Sequence, residues 1–383
     1  MLERILFDPE CITYSQMNLI FNIRMYYRRL TSWTWTYIIS RYFGVGSPQD
    51  VFSLLYLETL DIGDMLRMIF GRVFSESYSR IAGQYPIALR NLIDAQIRGD
   101  IDAIDLYIER LYNNVERRAS YIESINPYWT AEEYRELFYT YNMYILELIN
   151  SIILSDYSRL VETFDQLKDH TNRMGDVFAE GVYSFIHSGI PTDYESAEDV
   201  QCITYEQMNE VYNIRMLWFE LDTWIRNYFL SAFLGIGIEF DILERLRRVM
   251  DDFIGAIGKI YGDEYADESR EALYEYFELL KAYINAQIRG DVEELNRLVP
   301  LLYENAERRA GLIARINTIL DESEWRDRFN IEIRYTIEEA VSFISGNYAE
   351  SVRIYSRLMD LAESLGNFFA VGLFDFLFSQ RDR

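Results

Sequence analysis

The sequence repeats itself with a constant spacing of 191 residues. The tetrapeptide CITY at 11–14 returns at 202–205, AQIRGD at 95–100 returns at 286–291, and ERRA at 116–119 returns at 307–310. Gly175 and Gly181 match Gly366 and Gly372 in the same register, so no insertion separates the two copies. We therefore predict two homologous domains, residues 1–191 and 192–383, each long enough to bury a core of its own.

The chain is strongly acidic. It carries 62 acidic residues against 37 lysines and arginines, which gives a formal net charge of −25. Nucleic-acid binding needs clustered cations, and anionic membrane surfaces attract basic segments, so this charge argues against both kinds of partner. If the chain assembles with itself, the charge must be offset by salt, by cations or by complementary local patches.

The only two cysteines, Cys11 and Cys202, occupy the same position in the two copies. A disulfide framework needs many closely spaced cysteines, so we interpret each as a structural residue before a helix. The first residues contain no signal-peptide core, and no segment has the ~20 uninterrupted apolar residues of a membrane span. These features predict a cytoplasmic protein without membrane insertion.

Helical spacing dominates the chain. There are only six prolines and 19 glycines, and apolar residues recur at i, i+3, i+4 and i+7. One such stripe passes through Leu111, Val115, Ala119 and Ile122. Long amphipathic helices with short connections predict an all-α fold, in which each copy is an up-and-down helical bundle.

Helix-breaking and helix-capping residues divide each copy into a similar series of helices. In the first copy we predict long helices near 15–42, 75–98, 100–125, 130–154 and 156–188, with short helices near 48–57 and 61–70. In the second copy the first helix begins near 204, and long helices lie near 268–289, 291–317, 322–345 and 348–379. The triplet Arg98-Gly99-Asp100 is typical of a helix end followed by a new N-cap. Residues 189–199 are predicted to be the linker.

The residues that carry catalysis or bind metals are scarce. A ferritin-like di-iron site needs two Glu-x-x-His pairs, but Leu167 and Ser184 stand three residues before His170 and His187. The second copy has no histidine, so we assemble no Ser-His-Asp or Cys-His arrangement there. The segments GVG at 44–46 and GIG at 235–237 lack the pattern of phosphate loops and predict helix ends. These observations indicate a protein that is not an enzyme and has no cofactor.

Aromatic residues are abundant, with 31 tyrosines, 23 phenylalanines and six tryptophans. Tyrosine joins an apolar body to a polar tip, which suits wet interfaces. The adjacent Tyr26 and Tyr27 point about 100° apart on a helix, so they predict that some tyrosines lie at the surface or at an interface. Core packing with hydroxyl groups at the rim is the alternative.

A set of landmark residues is spread over most of the first copy. They are Trp33-Thr34, Asp61-Ile62-Gly63, Gly71, Gly99-Asp100, Asn114, Asn126-Pro127-Tyr128-Trp129, Asp156-Tyr157, Met174, Asp176 and Gly181. This pattern resembles a family of uncharacterised small helical proteins of spore-forming bacteria that are often mislabelled acetylglutamate kinase. The motif at 126–129 is the sharpest element, and the second copy departs from it, with NTIL at 317–320.

The resemblance implies histidines inside the long helices of single-domain relatives. The corresponding positions here hold Leu30, Tyr85 and Tyr141, with His170 at a fourth position. In the second copy they hold Leu221, Tyr276, Glu332 and Leu361. If those histidines bind a metal in the family, both copies have lost the ligands, and we expect no metal site.

Two hypotheses for the function follow. The first is a non-enzymatic structural protein that assembles with copies of itself into a homo-oligomer or a larger array. The alternative is a bundle that binds a metal or a small molecule only in the first copy, in a pocket near Tyr85, Tyr141 and His170. A sizeable polar cavity in the first copy, beside a filled core in the second, would favour the alternative.

Overall fold

The computed structural model describes residues 10–188, 201–235, 237–317 and 321–381. The fold is all-α, with two short strands, β1 (Ile12–Thr13) and β2 (Cys202–Ile203). The chain divides into two compact units, Met1–Cys202 (unit 1) and Ile203–Arg383 (unit 2). The predicted boundary at residue 191 and the predicted linker lie outside the described residues.

The described part of unit 1 holds seven helices. They are α1 (Tyr14–Phe43), α2 (Pro48–Met65), α3 (Arg67–Ala82), α4 (Gln84–Arg98), α5 (Ile101–Ile125), α6 (Ala131–Ile153) and α7 (Tyr157–His187). Helix α1 lies at the centre of the bundle and packs against α2 and α7. Twenty of its 30 residues are buried, so it is enclosed on nearly every side.

The burial of α1 corrects the prediction for Tyr26 and Tyr27. The two side chains are only 5% and 2% exposed, so the inference that one of them lies at a surface was wrong. The Tyr26 hydroxyl donates to the carbonyl of Thr59 on α2, and the Tyr27 ring lies 5.5 Å from Phe178 on α7. Side chains about 100° apart are both in the core because a central helix has neighbours in both directions.

Several helix ends lie at the capping and terminating residues that the sequence contains. Thr13 caps α1 in a capping box with Gln16, and Gly44 ends the helix in the left-handed conformation at φ 65°. Gly99 ends α4 at φ 69°, and the Asp100 side chain accepts a hydrogen bond from the Ala103 backbone. The predicted ends at Gly44 and Gly99 and the predicted cap at Asp100 are confirmed because caps depend on residues within one turn of the chain. The Thr13 cap was not predicted.

The segment between α1 and α5 keeps one predicted break and differs at two others. Gly71, with φ 84°, kinks α3 between the helices predicted near 61–70 and 75–98. Helix α2 continues to Met65 instead of breaking near residue 58, and the helix predicted over 75–98 is divided at Gly83. The polar residues at the predicted break have partners while they remain in α2. Thr59 Oγ1 donates to the Leu55 carbonyl one turn earlier, and Glu58 pairs with Arg29 of α1 at 3.2 Å. A run of polar residues was therefore not sufficient evidence of a loop.

Unit 2 contains six described helices. They are α8 (Tyr205–Leu234), α9 (Glu239–Tyr261), α10 (Asp263–Arg289), α11 (Val292–Ile316), α12 (Glu322–Ile344) and α13 (Tyr348–Arg381). Helix α8 is the central helix and packs against α9 and α13. The bounds of α8, α11 and α12 lie 191 residues after those of α1, α5 and α6 at both ends. The continuous α10 replaces α4 and part of α3.

The two cysteines are bonded to each other. Cys11 and Cys202 both belong to unit 1 and form a disulfide with their Cα atoms 5.0 Å apart. Sequence reasoning missed this bond because two cysteines are too few for a disulfide framework, although they are enough for a single bridge. A bond that joins residues so far apart in sequence restricts the unfolded chain.

Among the described residues, one helix is long and apolar enough to cross a membrane by length and composition. It covers Tyr348–Ser379 within α13, with a mean hydropathy of 1.4, and 39% of the apolar window is buried. The helix packs against α8 and α12 within unit 2. The search for an uninterrupted apolar run did not single it out.

Candidate functional site

The structure brings together two of the three residues of the predicted pocket. Tyr85 on α4 and Tyr141 on α6 are buried, and their ring centroids lie 6.0 Å apart in an edge-to-face arrangement. Burial raises the pKa of Tyr85 well above its ordinary value, and the neighbouring Tyr141 adds to the effect. Both tyrosines are therefore neutral core residues that cannot act as bases near neutral pH.

His170 on α7 contacts α6 on both sides of Tyr141 along that helix. Its Nε2 is 2.8 Å from the carbonyl of Leu137, and its ring lies 5.8 Å from that of Tyr144. Because a carbonyl only accepts, Nε2 carries the hydrogen. Burial lowers the pKa of His170. The described contacts of His170 thus hold it between α6 and α7, where it acts as a packing residue.

A buried arginine, Arg118 on α5, shares the space with the two tyrosines. Its guanidinium carbon lies 3.9 Å from the Phe138 ring centroid and 5.7 Å from that of Tyr85. Arg118 also holds down the pKa of the buried Tyr78, which burial raises. Within the described part of the chain, Arg118 Nε has no hydrogen-bond partner. Aromatic faces therefore supply much of the environment of this cation.

Unit 2 has the same arginine in a different chemical setting. Arg309 lies over the rings of Tyr276 and Phe329, at 4.0 and 4.3 Å. Its Nη2 also pairs with Glu332 at 3.0 Å, and its Nε donates to Asn305 Oδ1 at 3.1 Å. Glu332 stands 191 residues after Tyr141, so a carboxylate replaces a phenol beside the arginine.

A second buried acid, Asp222 on α8, adjoins this group. Burial raises the pKa of Asp222 well above its ordinary value, and the charge of Glu332 raises it further, while Arg309 lowers it. The charged pair is therefore Arg309 with Glu332, and Asp222 favours its neutral form. Unit 1 has Thr31 at the corresponding position.

A small cavity adjoins the charged group of unit 2. It measures about 30 Å³, and its lining includes Trp218, Ser269, Tyr276, Arg309 and Glu332. This volume suits a single water molecule, which Ser269 can bind, and is far below the size of a typical ligand pocket. This core cavity lies in unit 2, whereas the ligand hypothesis placed a cavity in the first copy. A polar groove of about 310 Å³ lies between α4 and α5 of unit 1, but Tyr85, Tyr141 and His170 are not among its lining residues.

Sequence reasoning missed Arg118 and Arg309, although a signal was present. The predicted stripe contains Leu111, Val115 and Ile122, and Arg118 stands three residues after Val115 and four before Ile122. A charged residue at a core position of an apolar stripe indicates a buried charge that needs a partner. Both arginines belong to the ERRA repeat at 116–119 and 307–310, which marks the 191-residue spacing but does not by itself indicate burial.

The sharpest motif of the first copy has a structural role. Asn126 Nδ2 donates to the Gly181 carbonyl on α7 at 2.8 Å, and Trp129 is buried against the same glycine. A Cβ atom on Gly181 would lie 1.8 Å from Trp129 Nε1. In unit 2, Asn317 donates to the Phe369 carbonyl at 3.0 Å, while 318–320 fall outside the described residues. The motif thus locks the α5–α6 loop onto α7.

Acidic side chains do not gather into a metal centre in the described ranges. No group of three His, Cys, Asp or Glu side chains there is close enough to hold a metal ion. The buried acids Asp222 and Glu332 lie near each other, and Arg309 lies beside both of them.

An exposed apolar pair flanks the same turn in each unit. Ile97 and Ile101, at the turn between α4 and α5, are 49% and 71% exposed. Ile288 and Val292, at the turn between α10 and α11, are 37% and 65% exposed. We call these two pairs the apolar tips.

Comparison with protein-family models, with curated proteins and with solved structures finds no match to this chain.

Proposed function

We propose that the chain is a tandem duplication of one helical bundle and serves as a non-enzymatic scaffold that assembles with copies of itself. The observation that carries the proposal is the recurrence of the apolar tip in both units. A single exposed apolar residue is ordinary on a protein surface. The same exposed pair at two positions 191 residues apart makes each chain bivalent, and bivalent chains form extended assemblies.

The buried polar groups support a structural role over a catalytic one. Arg309, Glu332 and Asn305 satisfy each other in unit 2, and Tyr85 with Tyr141 forms a core contact in unit 1. These groups are arranged for packing, and the cavity beside them admits only a water molecule. The tyrosine-based interface expected at Tyr26 and Tyr27 is replaced in this proposal by the aliphatic tips.

Light scattering over a range of salt concentrations tests the proposal. We expect assemblies that grow with protein concentration. Salt screens both the net charge of −25 and any attraction between charged patches, so the direction of the salt dependence shows which of the two dominates. The double variant Ile101→Asp with Val292→Asp should shift the protein towards the monomer. Met68→Asp is the matched control, because Met68 is exposed and lies outside the tips. A strict monomer at every salt and protein concentration would overturn the proposal.

The disulfide bears on where the protein works. The sequence predicts a cytoplasmic location, and this stays a prediction. The bond between Cys11 and Cys202 argues against it, because the reducing cytoplasm keeps most thiols free. Counting free thiols in denatured protein that was alkylated inside its own cells decides between the two, since two free thiols would indicate a reducing location.

A further inference from the structure

A groove between α4 and α5 of unit 1 differs in charge from most of this acidic chain. It encloses about 310 Å³ and is lined by Gln84, Ile87, Ala88, Asn91, Arg110, Asn113, Asn114 and Arg117. The lining holds two arginines and four amides and no carboxylate. We call it the basic groove.

The two arginines of the groove are available for a partner. Arg117 donates to Gln84 Oε1, and the Arg110 guanidinium lies 5.1 Å from the Tyr107 ring centroid. In the described part of the structure, neither arginine forms an ion pair. Both residues are exposed, so they present their positive charge to the solvent.

The corresponding positions of unit 2 have the opposite charge. Three of them hold Glu275, Glu278 and Glu304, in place of Gln84, Ile87 and Asn113. Leu301 replaces Arg110, and Arg308 replaces Arg117. We call this surface of α10 and α11 the acidic face.

Local cations neutralise only part of the acidic face. Arg308 contacts Glu271 at 2.8 Å and Glu275 at 3.1 Å, so one cation serves two carboxylates. Lys281 pairs with Glu278 at 2.5 Å. Glu304 is exposed and has no ion pair among the described residues. The face therefore keeps an excess of negative charge.

We propose that the basic groove of one chain binds the acidic face of a second copy. This inference rests on the proposed self-assembly and names the surfaces that carry it. The two surfaces lie on corresponding helix pairs, α4–α5 and α10–α11, and their charges are complementary. In a chain with a net charge of −25, such a contact turns a general repulsion into a local attraction.

The contact would be heterologous, because it joins two different surfaces. A heterologous contact repeats from chain to chain, so it produces an open filament or a closed ring, of which a dimer with two reciprocal contacts is the smallest. The apolar tips lie at the ends of the same helix pairs, α4–α5 and α10–α11, and can add buried apolar area to the contact.

A charge-swap experiment tests the pairing at about 0.15 M salt. The first variant, Arg110→Glu with Arg117→Glu, makes both surfaces acidic. The second, Glu278→Arg with Glu304→Arg, makes both surfaces basic. We expect each variant alone to associate at least about tenfold more weakly than the wild type in sedimentation velocity, since like charges then face each other. An equimolar mixture should regain assembly, because each chain then offers the surface that the other lacks.

Two controls separate the possible failures. Arg67→Glu with Arg357→Glu changes the net charge equally, at exposed positions outside the groove, and should leave assembly unchanged. Circular dichroism and thermal unfolding check that each variant remains folded.

If the wild type assembles but the charge-reversed variants assemble equally well, the pairing is wrong and the scaffold proposal stands. If the wild type is monomeric under every condition, the scaffold proposal fails as well. If both variants fail to assemble and the mixture does not recover assembly, the basic groove does not bind the acidic face, and the proposed pairing of the two surfaces is wrong.

Discussion

The cores of the two units occupy corresponding positions with different chemistry. In unit 1, Trp35 on α1 stacks on Phe164 of α7 at 4.3 Å. In unit 2, Arg226 stands 191 residues after Trp35, and its guanidinium lies 4.1 Å from the ring of Tyr355, which corresponds to Phe164. A helix position that holds an indole in one unit therefore holds a buried cation in the other.

The position that pairs with Arg226 in unit 2 also differs between the two units. Glu339 pairs with Arg226 and stands where unit 1 has the buried Leu148. Burial lowers the pKa of Arg226 to about 10, which still leaves it charged near neutral pH. Together with Glu332, which stands where unit 1 has Tyr141, these residues give the core of unit 2 three charges at positions that hold apolar or neutral side chains in unit 1.

This difference shows that one helical framework admits two kinds of core. The helix bounds agree at both ends for α1 and α8, for α5 and α11, and for α6 and α12, because caps and apolar spacing determine them. The energetic consequences differ. An aromatic core is stabilised by burial of apolar area, whereas a buried ion pair must recover the desolvation of both charges. At these corresponding positions, loss of one charged partner is therefore costly in unit 2, where unit 1 has no ion pair to lose.

The largest expected effect comes from removing the shared arginine. Arg309→Met should lower the free energy of unfolding of unit 2 by about 3–5 kcal/mol, because it leaves Glu332 buried without its partner. Arg118→Met should stay within about 1–2 kcal/mol of the wild type, because it removes cation–π contacts and also the cost of burying a cation. Hydrogen exchange of the full chain, resolved by peptide, measures each unit separately. Equal losses in the two units would contradict the comparison.

Replacing a buried ion pair of unit 2 by the corresponding residues of unit 1 should raise the free energy of unfolding of unit 2. Arg226→Trp with Glu339→Leu gives unit 2 the residues that stand 191 positions earlier, and replacing a buried ion pair by apolar groups stabilises proteins by about 1–4 kcal/mol in favourable cases. Glu339→Leu alone should be destabilising, since Arg226 is left unpaired. Urea unfolding compares the two variants, and a double variant less stable than the single one would show that shape matters more than charge here.

The smallest effect is expected from Asp222→Asn, which acts through pH. Burial and the charge of Glu332 raise the pKa of Asp222, so the folded chain keeps a proton that the unfolded chain has lost. Stability from this group is present at low pH and is lost as the pH rises above the unfolded pKa of about 3.9, through the folded pKa. In the Asp222→Asn variant, the stability of unit 2 should fall less as the pH rises. Urea unfolding midpoints, measured from acid to neutral pH, follow this change. Thr31→Val, at the corresponding position of unit 1, should leave the pH profile unchanged, and a wild-type profile without this decline would count against the assignment.

Much of the secondary structure was predictable from the sequence, and the core chemistry was not. Gly44, Gly99 and Asp100 were interpretable because their hydrogen bonds lie within one helical turn. Arg118 was visible as a charge in an apolar stripe, but its partners come from α4 and α6 and could not be assigned. Of the candidate pocket, Tyr85 and Tyr141 meet, while His170 turns to the Leu137 carbonyl.

By itself, the sequence determined the 191-residue repeat, the all-α class and most helix ends, since these depend on spacing and on contacts between near neighbours. Only the tertiary structure decided that Tyr26 and Tyr27 are both buried, that Cys11 meets Cys202, and that Glu332 replaces Tyr141 beside a buried arginine. Such facts depend on which helices surround a side chain. The partners are far away in sequence, and their burial sets the energy of each contact.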